Sequence, residues 1–488
     1  MTQQSIDYHA ILPELILSGA LSLVLVVDVF LRPRRKWLAM PIALVGVLAS
    51  LVATLTLVGG EPRETFGGMF VVDDFAVLFK IFFLVVATIV LLISFRYFQD
   101  GRYYQGEYYF LLLTAFLGCL LMPSSRDLLM LFISLELVSA PGFLIAAFRK
   151  GDVRSTEGGL KFFLIGVLST AVMLYGMSLI YGVTGGATRL DAVADGLAGL
   201  EGGRETLALA AILFVVTGFA FKVSAVPFQF WAPDTYEGAP VPVAAFLAVA
   251  SKAAGFAGLL QLMFVAFIDR AEFWAPVFAA LSIATMTFGN LVALQQRQAV
   301  RLLAYSGIAQ AGYMLLPFAL AGGGARTDGL AFSAAVTYIL IYAVMNLGAF
   351  SVVVALSRES RGLLIADFAG LMKRAPLVAV AMTVFMVSLA GIPPAGGFWA
   401  KFFVFTAAID RGGLGPWLAA AMVVNSVISL YYYLLIPRMM IFEEGEERPL
   451  LGSTLVRGVV AVAAAAIVAV FVFPDLLARA PQLATLVP

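Results

Sequence analysis

The chain has 488 residues, of which 62% are hydrophobic and only 12% are charged, and its mean hydropathy is +0.98. Soluble domains contain about 45–50% apolar and about 25% charged residues, so this composition excludes a soluble or disordered protein and indicates an integral membrane protein. The formal net charge of +1 provides no bulk attraction for nucleic acid or for an acidic partner.

Fourteen apolar segments follow one another, each close to the roughly 20 residues that a membrane-spanning helix requires. They are long and many are rich in Leu, Ala and Met, which favours helices over strands. We therefore predict an all-α polytopic protein with a single transmembrane domain. The predicted spans are approximately 10–31, 38–58, 74–95, 107–122, 127–148, 160–183, 206–230, 240–268, 273–294, 300–321, 330–356, 376–407, 416–440 and 453–475. The longest gap, near 184–205, is glycine-rich and carries mixed charge.

The first segment contains Asp7, His9 and Glu14 and has no basic stretch before it. We therefore expect a retained span rather than a cleaved signal peptide. If the N-terminus is outside, 19 Lys and Arg residues fall in cytoplasmic loops and 8 fall outside. This bias follows the positive-inside rule and predicts that both termini are periplasmic.

The chain has a single cysteine, Cys119, and a single histidine, His9. A disulfide framework and the cysteine spacing of an iron–sulfur cluster are therefore excluded within this chain. A histidine-based metal or haem site is not expected either.

Four lysines and one glutamate lie inside apolar segments, where a charge costs about 2.5–3.5 kcal/mol on insertion scales. They are Lys80, Lys222, Lys252, Lys401 and Glu136. Such residues are functional candidates, whereas a protonated, hydrogen-bonded Glu136 or a snorkelling lysine would be purely structural. Lys80 lies about two turns from the outer end of its span, so we expect it to be an interface or snorkelling lysine.

Prolines predict a break in two of these spans, beside a lysine in each. Pro227 follows Lys222. Pro393 and Pro394 precede Lys401. Proline lacks an N–H and clashes with the carbonyl four residues back, and freed carbonyls are tolerated at membrane depth only where protein or water covers them. The stretches VPFQFW and IPPAGGFW echo one another five spans apart in opposite orientation, as in inverted-topology repeats around an ion site.

Buried lysines and carboxylates can exchange protons because burial destabilises the charged form of a lysine and a nearby carboxylate restabilises it. We therefore predict a lateral proton relay through Glu136, Lys222, Lys252 and Lys401. Small residues flank Lys252, which let another helix approach closely. Polar residues that could order water along the relay are Gln229, Tyr305, Ser306, Gln310, Tyr313, Tyr338, Tyr342, Asn346, Asn425, Ser429 and Tyr433. Ordinary interhelical hydrogen bonding accounts equally well for any one of them.

Four stretches carry a family resemblance: FKVSAVPFQFWAPDTYEGAPVPVAAFLAVASK, RLLAYSGIAQAGYM, YAVMNLGAF and SLAGIPPAGGFWAKF. They resemble the antiporter-like subunits of proton-pumping NADH:quinone oxidoreductase, respiratory complex I. The PDxYEGAP stretch, Lys401 and the end of the chain soon after the last span most resemble the subunit N (ND-two type) family. The resemblance implies that Glu136 pairs with Lys222, that Lys252 is the connecting lysine and that Lys401 is the terminal one.

The resemblance also implies an organisation and a setting. Helices 1–3 (1–100) would precede two inverted five-helix repeats, helices 4–8 (101–270) and helices 9–13 (271–445), broken at helices 7 and 12, and helix 14 (446–488) would follow. The chain would lie in a bacterial inner membrane beside lipids and other complex I membrane subunits. NADH, FMN, iron–sulfur clusters and quinone would be bound by partner subunits, because this chain has no dinucleotide fingerprint and no cluster ligands.

Gln229 and Gln310 stand where many members of the family have histidine. Glutamine can order water but does not take up a proton at neutral pH, so lysines and water would have to suffice at those two points. Two other functions remain open. One is a subunit of a multi-subunit cation/proton antiporter without a redox partner, and the other is a passive scaffold with vestigial charges.

Overall fold

The computed structural model describes residues 6–100, 105–360, 362–445 and 453–474. Within these residues, thirteen helices are long and apolar enough to cross a membrane. The remaining predicted span, 376–407, is present as two shorter helices. The predicted all-α polytopic fold is confirmed.

The helices are numbered in chain order, and most of them cross the bundle. The first eleven are α1 (Leu12–Phe30), α2 (Ala39–Leu55), α3 (Asp74–Asp100), α4 (Gln105–Leu121), α5 (Leu128–Ala146), α6 (Val153–Val183), α7 (Leu190–Leu197), α8 (Gly202–Val223), α9 (Trp231–Gly238), α10 (Val241–Phe246) and α11 (Lys252–Gln261). The others are α12 (Ala271–Ala293), α13 (Ala299–Leu315), α14 (Ala325–Leu356), α15 (Leu371–Arg374), α16 (Pro376–Ala390), α17 (Gly397–Arg411), α18 (Gly415–Phe442) and α19 (Thr454–Val472). We call the end of the bundle at which α1 begins end A and the opposite end, at which α1 ends, end B.

The first predicted break separates α8 from α9. α8 stops at Val223, and Ser224 turns into the left-handed region with φ 61°. Pro227 then lies in the irregular stretch before α9 begins at Trp231. The missing proline N–H and the steric clash of its ring explain why α8 does not continue.

The second predicted break separates α16 from α17. Gly391 ends α16 with φ 83°, a conformation in which glycine carries no steric penalty. Pro393 and Pro394 follow it, and α17 begins at Gly397. Both breaks therefore lie where the proline pattern predicts them.

The central helices are almost entirely buried. The segment Val241–Ala266 joins α10 to α11 through a π-helical turn, Leu247–Ser251, and ends in a second one, Leu262–Ala266. π turns often mark functional sites because they redirect side chains within a helix. α14 packs beside this segment, whereas α1 and α19 expose much of their surface.

Glycines permit the close approach of α12 and α13. A Cβ on Gly312 would lie 2.4 Å from the backbone nitrogen of Met286, and one on Gly289 would lie 2.5 Å from that of Ala309. Backbones at this separation leave no room for any other side chain.

A short β-hairpin caps end A. β1 (Arg63–Thr65) pairs antiparallel with β2 (Phe70–Val72), in the register Arg63↔Val72, Glu64↔Val71 and Thr65↔Phe70. No strand is predicted from the sequence, because three-residue strands lack a recognisable period. The same end holds α7, inside the predicted gap 184–205, where hydrogen bonds from Arg189 hold the pKa of Asp191 below its ordinary value.

Candidate functional site

Lys222 is buried in the last turn of α8, directly before the first break. Its Nζ donates a hydrogen bond to Ser139 Oγ on α5 at 2.9 Å. Its stem packs against α11, where a Cβ on Gly255 would lie 3.0 Å from the lysine Cγ. Lys222 therefore bridges α5 and the helix that begins with Lys252.

Glu136 lies one helical turn from Ser139 on α5 and is half-buried. Its Oε1 accepts a hydrogen bond from Thr170 Oγ1 on α6 at 2.9 Å. Among the residues that the structure describes, no lysine or arginine nitrogen lies within 4.0 Å of this carboxylate. The implied pairing of Glu136 with Lys222 is thus not a direct ion pair here; Lys222 instead bonds Ser139, one turn along α5 from Glu136, a residue that was not predicted from the sequence.

Gln229 lies in the first break and is almost entirely buried. The break is fixed on both sides, because Val226 N–H donates to Thr285 Oγ1 at 3.0 Å and Trp231 Nε1 donates to the Phe221 carbonyl at 3.2 Å. The Gln229 Oε1 accepts no hydrogen bond from any described residue. A buried acceptor of this kind is suited to ordering a water molecule.

Lys252 lies at the centre of the bundle, immediately after the first π turn. Its Nζ donates to the Gly307 carbonyl on α13 at 2.6 Å. A Cβ on Gly307 would lie 3.0 Å from the Tyr342 hydroxyl and 3.6 Å from the lysine Nζ, so Tyr342 of α14 lies beside the lysine. Asn346 donates to the Tyr342 hydroxyl at 2.7 Å.

Hydrogen-bonded side chains continue from Lys252 toward the second break. Ser306 is adjacent to Gly307, and its hydroxyl is 2.6 Å from that of Tyr433 on α18. Gln310 Nε2 donates to the same Tyr433 hydroxyl at 3.0 Å. The Tyr433 hydroxyl therefore joins two positions of α13 that are one turn apart.

Gln310 connects this network to α16 and α14. Its Nε2 also donates to the Leu389 carbonyl at 2.9 Å, and its Oε1 accepts from the Tyr338 hydroxyl at 2.5 Å. Leu389 precedes Ala390, the last residue of α16. The carbonyls at this helix end lack intrahelical partners, so the break itself supplies an acceptor to the network.

Lys401 uses the neighbouring carbonyl at the same helix end. Its Nζ donates to Ala390 O at 2.8 Å and lies 4.7 Å from the centre of the Tyr313 ring. The C-terminal end of a helix and an aromatic face both favour a cation. One side of Lys401 borders an apolar cavity of about 290 Å³ between α17 and α18.

A second group of amides and hydroxyls surrounds Tyr313, and the sequence analysis missed part of it. Asn290 of α12 donates to the Tyr313 hydroxyl at 3.0 Å and to Asn425 Oδ1 at 3.2 Å. Tyr432 donates to Asn290 Oδ1 at 2.8 Å. An asparagine within the apolar segment 273–294 was the signal that could have identified this position.

Tyr305 does not join these networks. It is half-buried, and its ring lies against Phe288 of α12 with the ring centres 6.4 Å apart. Ser429 donates to the Ser426 carbonyl at 2.7 Å and also contacts the Tyr313 hydroxyl, so it belongs to the group around Tyr313.

Lys80 is not an interface lysine, and that expectation is wrong. Its side chain is fully buried, with Nζ 3.0 Å from Glu14 Oε1 and 4.8 Å from the centre of the Phe70 ring. Glu14 near the start of α1 brings a carboxylate to the lysine, and the two side chains are buried together. A buried lysine with a paired carboxylate does not need to reach the interface.

A further buried cluster lies at end A. Arg126 pairs with Asp73, donates to Gln261 Oε1, and donates to the Pro123 carbonyl at 3.0 Å. Gln261 is at the end of the helix that begins with Lys252. The cluster fixes that end of the central helix, and its glutamine and arginine were absent from the predicted site.

The described part of the chain contains no group of three or more His, Cys, Asp or Glu residues arranged to hold a metal ion. Its donors are instead lysine amines, hydroxyls and amides, which bond one another or neighbouring backbone carbonyls. Tyrosine and serine hydroxyls both donate and accept, and lysine can gain or lose a proton. The arrangement is therefore suited to proton transfer.

Residues 125–429 match the family described as NADH:quinone oxidoreductase/Mrp antiporter, TM. The chain is 42% identical over 446 residues to NADH-quinone oxidoreductase subunit N of Trichlorobacter lovleyi, covering 91% of this chain and 89% of that one. It is 40% identical over 438 residues to NAD(P)H-quinone oxidoreductase subunit 2 of Nostoc, covering 90% of this chain and 82% of the relative.

The fold is similar to that of a chain in the structure of respiratory complex I from Thermus thermophilus with bound aureothin. The TM-score is 0.78 at 30% sequence identity, over 96% of this chain and 98% of that chain. A chain of the Mrp complex from Dietzia shares the fold at 20% identity, with a TM-score of 0.84 over 98% of this chain and 97% of that chain. The chain therefore belongs to the NADH:quinone oxidoreductase/Mrp antiporter family and, within it, to the subunit N family of NADH-quinone oxidoreductase.

Proposed function

We propose that this chain is a proton-translocating membrane subunit of an NADH:quinone oxidoreductase. The observation that carries the proposal is the line of buried polar groups between its two helix breaks. Lys252 and Lys401 lie at its two ends, and Ser306, Tyr433 and Gln310 lie between them. Subunit N membership supplies the context, since the relatives are named for NADH–quinone oxidoreduction.

Glu136 and Lys222 would begin the relay. Lys222 contacts the helices of both Glu136 and Lys252, so a change in its charge would alter the electrostatic environment of both residues. A proton would move by rearrangement of lysine amines, hydroxyls and water. Gln229 and Gln310 would order water and orient hydroxyls without being protonated.

We further propose that residues 101–270 and 271–445 are inverted repeats, with 1–100 and 446–488 outside them, and that both termini are periplasmic in a bacterial inner membrane. End A would then be periplasmic and end B cytoplasmic. The redox steps and their cofactors, NADH, FMN, iron–sulfur clusters and quinone, belong to partner subunits. This chain would act as a translocase without redox chemistry of its own, packed beside other membrane subunits and lipids.

The second candidate is a subunit of a cation/proton antiporter complex. The family match includes Mrp antiporters, and the fold similarity to the Dietzia chain is as extensive as that to complex I. Purification of the native membrane complex distinguishes the two functions. Redox subunits accompany this chain in the first case and are missing in the second.

The relay is tested by replacing Lys222 in the intact complex. Lys222→Ala removes the amine that contacts Ser139, and we expect proton pumping and the coupled quinone reduction to fall roughly tenfold or more. Lys222→Arg keeps the charge but cannot release a proton. If the arginine variant is as inactive as Lys222→Ala, the lysine must release a proton in each turnover. If the arginine variant retains activity, the lysine contributes only its positive charge.

The exposed lysine Lys373 at end B provides the control, because Lys373→Ala also removes one positive charge. Complex content in the membrane is measured first for each variant, so that failed assembly is separated from failed transfer. Normal pumping by an assembled Lys222→Ala complex removes this lysine from the proton path.

A further inference from the structure

Charged side chains hold α9 in place at end B. Lys161 Nζ of α6 lies 2.6 Å from Asp234 Oδ2. Arg301 Nη1 of α13 lies 2.8 Å from Asp234 Oδ1 and 2.9 Å from Glu237 Oε2. We call these four residues, Lys161, Asp234, Glu237 and Arg301, the end-B clamp. It joins the short helix after the first break to one helix from each of the two sequence halves.

The contact of α9 with α6 is a close backbone contact. A Cβ on Gly158 would lie 2.7 Å from the Asp234 carbonyl oxygen, and one on Gly238 would lie 2.4 Å from the Arg154 carbonyl oxygen. Thr235 Oγ1 also donates to the Gly158 carbonyl at 2.9 Å. α9 is therefore seated firmly on α6.

The contact of α9 with α13 is of a different kind, because it includes the long side chain of Arg301 bonded to two carboxylates. All three side chains keep between 23% and 33% of their surface exposed. Ion pairs that remain partly solvated contribute little stability each. The Arg301 bridge can therefore open at low cost, whereas the contact with α6 is a close backbone contact.

The clamp lies between the first break and the aqueous phase at end B. Gln229, with its unbonded Oε1, is five residues before Asp234 along the chain. A cavity of about 270 Å³ is lined by the clamp residues together with Arg154, Glu157 and the two glycines. This volume accommodates several water molecules.

We propose that Arg301 and Asp234 are positioning residues that set water access from end B to the first break. While Arg301 bridges Asp234 and Glu237, α9 keeps Gln229, the buried residue of the break, away from water at end B. When the bridge opens, α9 pivots on its contact with α6, and water from the cavity reaches Gln229. The inference rests on the proposed function, since it concerns how the start of the relay is supplied with protons.

The test measures chemical access to the break in the intact complex. A single reporter, Gln229→Cys, is placed at the buried position of the break in a chain whose native cysteine is removed by Cys119→Ala. A membrane-impermeant, charged methanethiosulfonate is added at the end-B side of membrane vesicles. The rate of labelling is read by mass on this chain after the complex is captured, so cysteines of other subunits do not interfere.

We expect Arg301→Gln to raise the labelling rate roughly tenfold, because both bridges to α9 are lost. Asp234→Asn, which is nearly isosteric, should raise it in the same direction. The effect of the double variant should be smaller than the product of the two single effects, because both single variants remove the bridge between Arg301 and Asp234. Arg301→Lys keeps a charge in reach of the carboxylates and should restore most of the protection.

Arg154→Gln is the matched control, since it also removes one positive charge beside Glu237. The Arg154 side chain is 78% exposed, and its nitrogen is 3.5 Å from the Glu237 carboxylate. Its labelling rate should stay within about twofold of the parent chain, as expected for an exposed pair. Equal labelling of Arg301→Gln, Asp234→Asn and the parent chain in assembled complexes overturns the proposal.

The labelling and pumping measurements test the clamp and the relay separately. If Lys222→Ala pumps normally while Arg301→Gln opens the break, the relay is wrong and the clamp is retained. If labelling is unchanged while Lys222→Ala abolishes pumping, the clamp is wrong and the relay is retained. Should Arg301→Gln fail to assemble, Asp234→Asn decides the outcome.

Discussion

Tyr433 has a particular position among the side chains between the central lysine and the second break. Its hydroxyl bonds both Ser306 and Gln310, one turn apart on α13. Gln310 in turn reaches the Leu389 carbonyl, next to the carbonyl that Lys401 uses. A hydroxyl both donates and accepts hydrogen bonds, so the Tyr433 hydroxyl can connect Ser306 with Gln310, whereas a phenyl ring cannot.

Tyr433→Phe should therefore lower proton pumping by roughly two- to tenfold, the effect of losing one or two hydrogen bonds. The ring and its packing are retained, so assembly should be normal. Tyr305→Phe is the matched control, because Tyr305 lies outside the network. Pumping is measured in vesicles with equal complex content. Equal pumping by the two variants contradicts a role for the Tyr433 hydroxyl.

The buried pair of Glu14 and Lys80 affects the stability of the subunit. Each charge is removed from water and is compensated by the other, at 3.0 Å. Removing one partner of a buried pair typically costs about 3–5 kcal/mol, because the other charge is left uncompensated. Removing both charges can be nearly neutral.

Lys80→Met should therefore lower the thermal stability of the complex, and Lys80→Met combined with Glu14→Gln should recover most of it. The measurement is the temperature at which half of the purified complex has lost this subunit. A single variant that is as stable as the double variant would mean that the two charges do not compensate each other.

The four intramembrane lysines could be identified from the sequence because a charge in an apolar segment is costly and therefore conspicuous. Their partners were harder to identify. Ser139 and Thr170 are small hydroxyl residues of a kind common in membrane helices, and nothing in their spacing singles them out. The partner of Lys80 was missed because Glu14 lies in a different span, and the two meet only where α1 and α3 pack on the same neighbours, α2 and α4.

At the scale of the element, the two breaks do more than interrupt helices. α16 ends with the Leu389 and Ala390 carbonyls directed at Gln310 and Lys401. The proline and glycine pattern predicted the position of this break, because Pro and Gly act locally. It could not predict which side chains the freed carbonyls bind, since that depends on the packing of α13 and α17 against α16.

Gly397, the first residue of α17, determines how closely α17 approaches α16 at the second break. A Cβ there would lie 1.9 Å from the Ser388 carbonyl oxygen. Gly397→Ala should push α17 away from α16, move Lys401 from its carbonyl and reduce both assembly and pumping. Overpacking of this kind typically costs about 1–3 kcal/mol.

The control for this variant is Gly329→Ala on α14, where nothing lies within 4 Å of an added Cβ. Alanine should be tolerated there, or be slightly stabilising, because it restricts the unfolded chain. Complex content and pumping are compared for the two variants. If Gly397→Ala assembles and pumps as well as Gly329→Ala, the contact with Ser388 does not position α17.

At the scale of the whole molecule, the hydrogen-bonded line crosses between the two sequence halves. Lys252 belongs to the first half and bonds Gly307 of the second. At end B, Asp234 and Arg301 make a second connection between the halves. A relay shared in this way requires the halves to be held in register, and the close crossing of α12 and α13 provides a rigid second half.

The sequence predicted the number of spans, because each is a separate apolar run of sufficient length. Which helices pack against one another could not be predicted from the same pattern. Burial of nearly all of Val241–Ala266, for example, depends on α14 and its neighbours surrounding it. An apolar run reads alike whether it faces lipid or protein.

The even number of crossings makes a topological prediction that is independent of the relay. The thirteen spans and the broken helix formed by α16 and α17 together give fourteen crossings over the described residues. Lys and Arg are concentrated in the loops at one side, which the positive-inside rule assigns to the cytoplasm.

A reporter fused after Arg35 follows one crossing, and a reporter fused after Pro488 follows all fourteen. We expect alkaline phosphatase to be active only at the second position and a cytoplasmic fluorescent reporter only at the first. Reporters that are active on the same side at both positions would contradict an odd number of crossings between them, and therefore the count of fourteen. Periplasmic activity of the reporter after Arg35 would contradict the assignment of end A to the periplasm.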